Sequence, residues 1–219
     1  GVMSRKSFLT KTLDQKEIDL PEAKFDHLLR ITDSTAIFQH AIFTVPNFWE
    51  GYCTDDNARA LILTVLLERL DIKNPAINNI ATIYAAFLNY AFDRASSRFR
   101  NFMDFNRVWS EKANPEDSHA RAIWALGTCI GRSRNTGIQL MAVNLFEKAL
   151  PIVAEFTSPR AWASTLIGIH EYFRRLSGDR LVNQIRDELT NKLIESYNKS
   201  SQLNWPWFEN SVTYDNARL

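Results

Sequence analysis

The sequence predicts an all-α protein, an α/α toroid of helical hairpins, on three observations. Segments apolar around their whole circumference alternate with segments apolar along one stripe. The first kind opens repeatedly on a block of acid, Asn or His, Ala and Arg. Only 7 Gly and 7 Pro stand among 219 residues, too few for the turn-rich chain of an all-β fold. A helix buried all round needs neighbours on both sides, whereas an amphipathic helix needs one. Strict alternation therefore describes two concentric layers, inner helices shielded by outer ones.

Taken in order, residues 1–22 form a lead-in bounded by Pro21, and residues 23–219 form the helical domain. A first helix is predicted over 24–40. Residues 41–53 are extended or irregular, because Pro46 forbids a helix through them. Asn57 to Leu70 is the first all-round apolar helix, followed by Asn74-Pro75, a cap and first-turn pair. Residues 75–93 carry the stripe Ile77, Ile80, Tyr84, Phe87, Leu88 and Ala91. The segment Arg98 to Phe105 alternates and predicts a short β-hairpin arm. Asp117 to Ile130 is again apolar all round. Ile138 to Phe156 is amphipathic, with Pro151 breaking it near its end. Ser158-Pro159 starts a third apolar helix, ended by Gly178-Asp179. A last stripe runs through Leu181, Ile185, Leu189, Leu193 and Tyr197.

The inner helices open as Thr54-Asp55-Asp56-Asn57-Ala58-Arg59 and Glu116-Asp117-Ser118-His119-Ala120-Arg121, and the chain closes on Tyr214-Asp215-Asn216-Ala217-Arg218-Leu219. The third, Ser158-Pro159-Arg160-Ala161, departs from the block and lacks the acid. One acid at a helix start is explained by capping and the helix dipole; Asp55 and Asp56 together exceed that need. Parallel inner helices would gather their first-turn acids at one central funnel. Asp55, Asp56, Asp117, Asp215 and Glu209 are thus the candidate acids for general acid/base chemistry. Arg59, Arg121 and Arg218, placed in otherwise apolar helices, are expected to pair with those carboxylates, with anion binding the alternative. Trp49, Tyr52, Trp109, Trp205 and Trp207 lie in loop-like stretches and are candidates for stacking on sugar rings; Asn57 and His119, inside the blocks, complete the candidate binding set. Packing between hairpins explains each aromatic equally well, and a core or cap role is the preferred reading of His119.

Formal net charge is +1, from 26 basic and 25 acidic residues, so no polyanionic partner such as nucleic acid is expected. Two cysteines, Cys53 and Cys129, make neither a disulfide framework nor a metal pair. Four histidines show no metal-ligand spacing, and no phosphate-binding glycine loop or serine-esterase motif is present, so neither metal nor cofactor is expected. No uninterrupted apolar run reaches the roughly 18–20 residues that span a bilayer, and the polar N-terminal residues show no secretory signal. A soluble, cytoplasmic protein with no membrane partner is the expectation.

The block Tyr52-Cys53-Thr54-Asp55-Asp56-Asn57-Ala58-Arg59-Ala60, echoed by Thr213-Tyr214-Asp215-Asn216-Ala217-Arg218-Leu219, resembles blocks in bacterial proteins of the six-hairpin, glycosidase-like toroid superfamily. Some of those proteins are partners of, or fused to, glycosyltransferases. The resemblance implies a six-hairpin toroid with a sugar ligand in the central funnel. It covers about residues 27–219, roughly three and a half hairpins, so the toroid is expected to be incomplete in this chain. It leaves the reaction open among hydrolysis, lyase and epimerase chemistry. Three function classes follow: an oligosaccharide-acting enzyme, a non-catalytic sugar-binding or companion domain of a glycosyltransferase, and a helical scaffold for proteins.

Overall fold

The computed structural model describes residues 23–72, 74–110 and 115–219. The expected lead-in, 1–22, lies outside them. What is described is mostly helical, as the sequence predicts. Long helices begin with α2 (Thr54–Arg69), α3 (Pro75–Ala91), α4 (Glu116–Arg132) and α5 (Thr136–Ala149), and continue with α6 (Pro159–Tyr172) and α7 (Arg180–Ser200). Each long helix predicted from residue 57 onward has its counterpart here, whereas the one predicted over 24–40 does not.

The caps follow from local chemistry. Asn74, Asn135, Ser158 and Asp179 each accept a first-turn backbone N–H through the side chain, and Pro75 and Pro159 occupy first-turn positions that need no N–H donor. Pro151 breaks the helix after Ala149, and the chain goes on as a 3-10 turn, Pro151–Glu155.

Helices α2, α4 and α6 stand side by side in one row, with α4 in the middle; α3 packs on α2, α5 on α4 and α7 on α6. Burial follows position. Twelve of the seventeen residues of α4 are buried, against three of the twenty-one of α7. The row is parallel. At one end Ser158, before α6, donates to Asp117 of α4 at 2.8 Å. At the other, Arg132 of α4 clasps Glu171 of α6 through two nitrogens at 2.5 and 2.7 Å, and Ser133 donates to Glu68 of α2 at 3.1 Å. The α4–α6 seam is close because glycines face it: a Cβ on Gly127 would fall 2.0 Å from the Gly168 carbonyl oxygen, and one on Gly131 2.2 Å from that of Glu171.

Four expectations need correction. The helix predicted over 24–40 is only α1, Asp26–Arg30; beyond it Thr32 bridges to Ile37 and Phe38 to Tyr52, so the chain turns back on itself. Residues 98–105 form no hairpin of their own. Instead β5 (Arg98–Phe99) pairs with β4 (Phe92–Asp93), and β6 (Phe102–Met103) pairs with β3 (Tyr52–Cys53). β3 thereby ties the 98–105 segment to the start of α2, while β1 (Ala41–Ile42) and β2 (Val45–Pro46) make a separate hairpin. The third inner helix ends at Tyr172, well before Gly178, and Asp179 caps the next one. The buried stripe of α7 is Val182, Ile185 and Leu189, and Leu181 is exposed.

Thr136–Glu155 is apolar and long enough, by length and composition, to cross a bilayer. It joins α5 to the 3-10 turn after it, and Ile138, Ala142, Leu145, Phe146 and Ala149 are buried in the core. Packing of α5 on α4 accounts for the buried part of that apolar stretch, while Leu140 is exposed.

Candidate functional site: a carboxylate and arginine cluster

The first turns of α2, α4 and α6 share one end of the row. Each helix puts a charged residue at its second position: Asp55, Asp117 and Arg160. Asp55 and Asp117 suit the positive end of a helix, whereas Arg160 opposes it. Its compensation comes from the 209–214 segment. Arg160 grips both oxygens of Glu209, at 2.9 and 2.5 Å, and donates to Thr213 Oγ1 and to the Tyr214 carbonyl oxygen.

Arg121, one turn inside α4, is only 4% exposed. Its Nε meets Asp55 Oδ1 at 2.8 Å, and its outer nitrogen meets Asp215 Oδ2 at 2.6 Å and Tyr214 Oη at 3.2 Å. A guanidinium this buried requires such partners. Arg59 caps the group from the solvent side, at 2.9 Å from Asp55 and 2.5 Å from Asp56. Asp215 has φ 52° and ψ 33°, a left-handed conformation that Asp tolerates. Asp117 acts through space on both Asp55 and Arg160. The five predicted acids therefore do gather, from α2, α4 and the C-terminal segment. The predicted arginine pairing holds at Arg59 and Arg121; the side chain of Arg218 lies outside what is described.

The electrostatics differ across the cluster. Burial pushes the Asp55 carboxyl up, against the pull of Arg121 and Arg59, and Asp56 and Asp117 add to the rise. The Arg160 hydrogen bonds hold Glu209 below the usual carboxylate range. Neither Asp55 nor Asp56 caps α2: the cap is Cys53, whose Sγ accepts from the Asp56 N–H and donates to its carboxylate at 3.0 Å. Burial and the neighbouring Asp56 push that thiol up, away from nucleophilic use.

Three residues of the candidate binding set are buried among protein partners. Tyr52 is buried and donates its hydroxyl to Asp33 at 2.6 Å. Asn57 is buried, accepts from the Ile37 N–H at 3.1 Å and donates to the Cys53 carbonyl at 2.8 Å. His119 is buried edge-on between Phe99 and Phe156; Nδ1 accepts from the Phe99 N–H at 3.3 Å and Nε2 lies 2.9 Å from the Ala149 carbonyl. Burial lowers its pKa to about 4.

The tryptophans divide. Trp205 donates to the Glu209 carbonyl at 2.6 Å and Trp207 to Asn216 at 3.0 Å, so both brace the segment that carries Glu209 and Asp215. Trp49 and Trp109 line a separate cavity near the start of α2, and Trp109 stacks under the Arg100 guanidinium at 4.5 Å. Sequence reasoning missed Arg160 and Tyr214. The available signal was a positive charge in a first turn where the sister helices carry Asp.

Among the described residues no three His, Cys, Asp or Glu side chains converge as a metal site; the acids here are interleaved with guanidiniums. No protein-family model matches the chain, and no curated protein matches it.

Proposed function

We propose that the cluster at the shared end of α2, α4 and α6 is the reaction site of a carbohydrate-active protein of α/α-toroid type, acting on oligosaccharides by carboxylate acid/base chemistry. The observation that carries this is the gathering of Asp55, Asp56, Asp117, Glu209 and Asp215, from three chain segments, around Arg59, Arg121 and Arg160. Five carboxylates against three guanidiniums among the described side chains leave an excess of acid, which favours a neutral substrate over an anionic one.

The opposite shifts of Asp55 and Glu209 supply complementary roles. Asp55, held protonated to higher pH than a free carboxyl, is the proton donor to a leaving oxygen. Glu209, held ionised by Arg160, is the base or the charge-stabilising partner. Activity should then fall on the alkaline side as Asp55 deprotonates, and on the acid side as Glu209 protonates.

The test is product release from end-labelled neutral hexasaccharides (manno-, malto- and cello-series). Asp55→Asn should lower kcat by about 10²–10⁴-fold with unchanged circular dichroism. Turnover that survives intact in Asp55→Asn, Asp117→Asn and Glu209→Gln alike would remove the cluster from catalysis. The second reading is a sugar-binding companion of a glycosyltransferase. It is favoured by one feature, that Asp55, Asp56, Glu209 and Asp215 all already touch an arginine, and it predicts saccharide binding without turnover.

A further inference from the structure

Beside the first turn of α2 lies a cavity of about 440 Å³ whose walls include Gln39, Trp49, Glu50, Asp104, Trp109 and Ser110. We infer that it is a second saccharide subsite, holding a neutral sugar ring away from the carboxylate–arginine cluster. The inference rests on the carbohydrate reading above and extends it: the substrate is an oligosaccharide long enough to reach both places.

Three features carry it. First, the indole of Trp49 is 96% exposed, yet it stands on a 3-10 turn, Phe48–Glu50, fixed from both sides. Asn47 accepts from the Trp49 N–H at 3.3 Å, and Gln39 donates to the Glu50 carbonyl. An exposed apolar ring on a fixed support is surface awaiting a flat apolar face, and the C–H face of a pyranose is one.

Second, the polar groups of the wall suit hydroxyls. Glu50 and Asp104 offer carboxylate acceptors and Gln39 an amide, and among the described residues no Lys or Arg lines the cavity. Two carboxylates on the wall favour a neutral ligand over an anionic one. A few polar groups among aromatic walls, at this volume, fit the pattern of small-ligand sites of about 300–1,000 Å³.

Third, the walls are held at a set distance. Gly51, with φ 62°, lies where a Cβ would fall 2.3 Å from the Met103 carbonyl oxygen, so only glycine lets the Trp49 turn approach β6. β3, paired to β6, runs from Gly51 straight into Thr54 and Asp55. The cavity therefore opens near the same end of α2 as the cluster.

The experiment is calorimetric titration of the full chain with the three neutral hexasaccharides, alongside Trp49→Ala, Trp49→Phe, Asp104→Asn and, as the cluster control, Glu209→Gln. Trp49 is exposed, so its substitution leaves the core intact. The inference expects one series to bind the native protein. Trp49→Ala should weaken that binding at least tenfold, Trp49→Phe should restore most of it, and Asp104→Asn should weaken it several-fold. Binding unchanged in Trp49→Ala but weakened in Glu209→Gln would overturn the subsite and leave the cluster reading standing. No binding of any series would also overturn it, while turnover assays judge the cluster separately. Self-association of the native protein that Trp49→Ala abolishes, without saccharide binding, would make the cavity a protein contact and overturn it as well.

Discussion

At the scale of single residues the protein spends its buried polar groups in two ways. Some are internal fasteners, and His119 is the clearest. Its imidazole is neutral in the fold, with a pKa of about 4 against about 6.5 when unfolded. The unfolded chain thus binds the proton first as pH falls, and stability declines from about pH 6.5 down to about 4, by roughly 3 kcal/mol across the window. Urea denaturation at pH 7 and pH 4.5 should show that slope in the native protein and a shallower one in His119→Gln, whatever the absolute stabilities. Equal slopes in the two would mean that another group titrates.

Arg121 is the second kind, a buried charge whose partners are themselves candidates for chemistry. Arg121→Leu removes the buried ion pairs to Asp55 and Asp215, leaving Asp55 to Arg59 alone among the arginines, and should cost about 3–5 kcal/mol at pH 7. Part of that loss should be recovered as pH falls, because the Asp55 carboxyl, already pushed up by burial, protonates more readily without Arg121; a loss independent of pH would assign the damage to packing alone. At this scale the sequence was legible where residue type and block position agree, as at Asp55, Asp215 and Arg121. It could not name the partners of Tyr52, Asn57 and His119. These belong to the same blocks, but their partners are Asp33, Ile37, Phe99 and Ala149. The segments holding those partners pair with the block only in the fold, and periodicity carries no trace of them.

At the scale of elements, the all-round apolar helices form the row and the striped ones back it, because burial on two sides leaves a different composition from burial on one. The short elements were not legible. The pairing of β3 with β6 spans about fifty residues, and alternation in 98–105 suits a local hairpin equally well. The closest seam, α4 on α6, depends on Gly127, Gly131 and Gly168, which in sequence are only weak helix formers. Gly127→Ala must push a methyl into the Gly168 carbonyl. We expect a loss of about 3 kcal/mol or more in urea unfolding. Gly178→Ala, where a Cβ meets nothing within 4 Å, should stay within about 0.5 kcal/mol of the native protein. A neutral Gly127→Ala would show that the two helices stand further apart than described.

At the scale of the molecule, a parallel row gathers first turns at one end, and the sequence fills those turns with charge. The same end receives the 209–219 segment, whose Glu209 and Asp215 answer Arg160 and Arg121. The exposed Trp49 stands on the loop leading into α2. On the proposed reading, the cluster and the Trp49 cavity near one end of the row make a working end, and the clasp of Glu171 by Arg132 at the other a fastening end. The measurement that tests this most directly is backbone amide shift mapping of the isotope-labelled protein titrated with neutral hexasaccharides. The account predicts saturable shifts concentrated at residues 49–59, 104–110, 117–121, 160 and 209–216. Shifts confined to the opposite end, around residues 68–78 and 131–138, or saturating binding that leaves the Asp55, Arg160 and Asp215 amides unmoved, would contradict it.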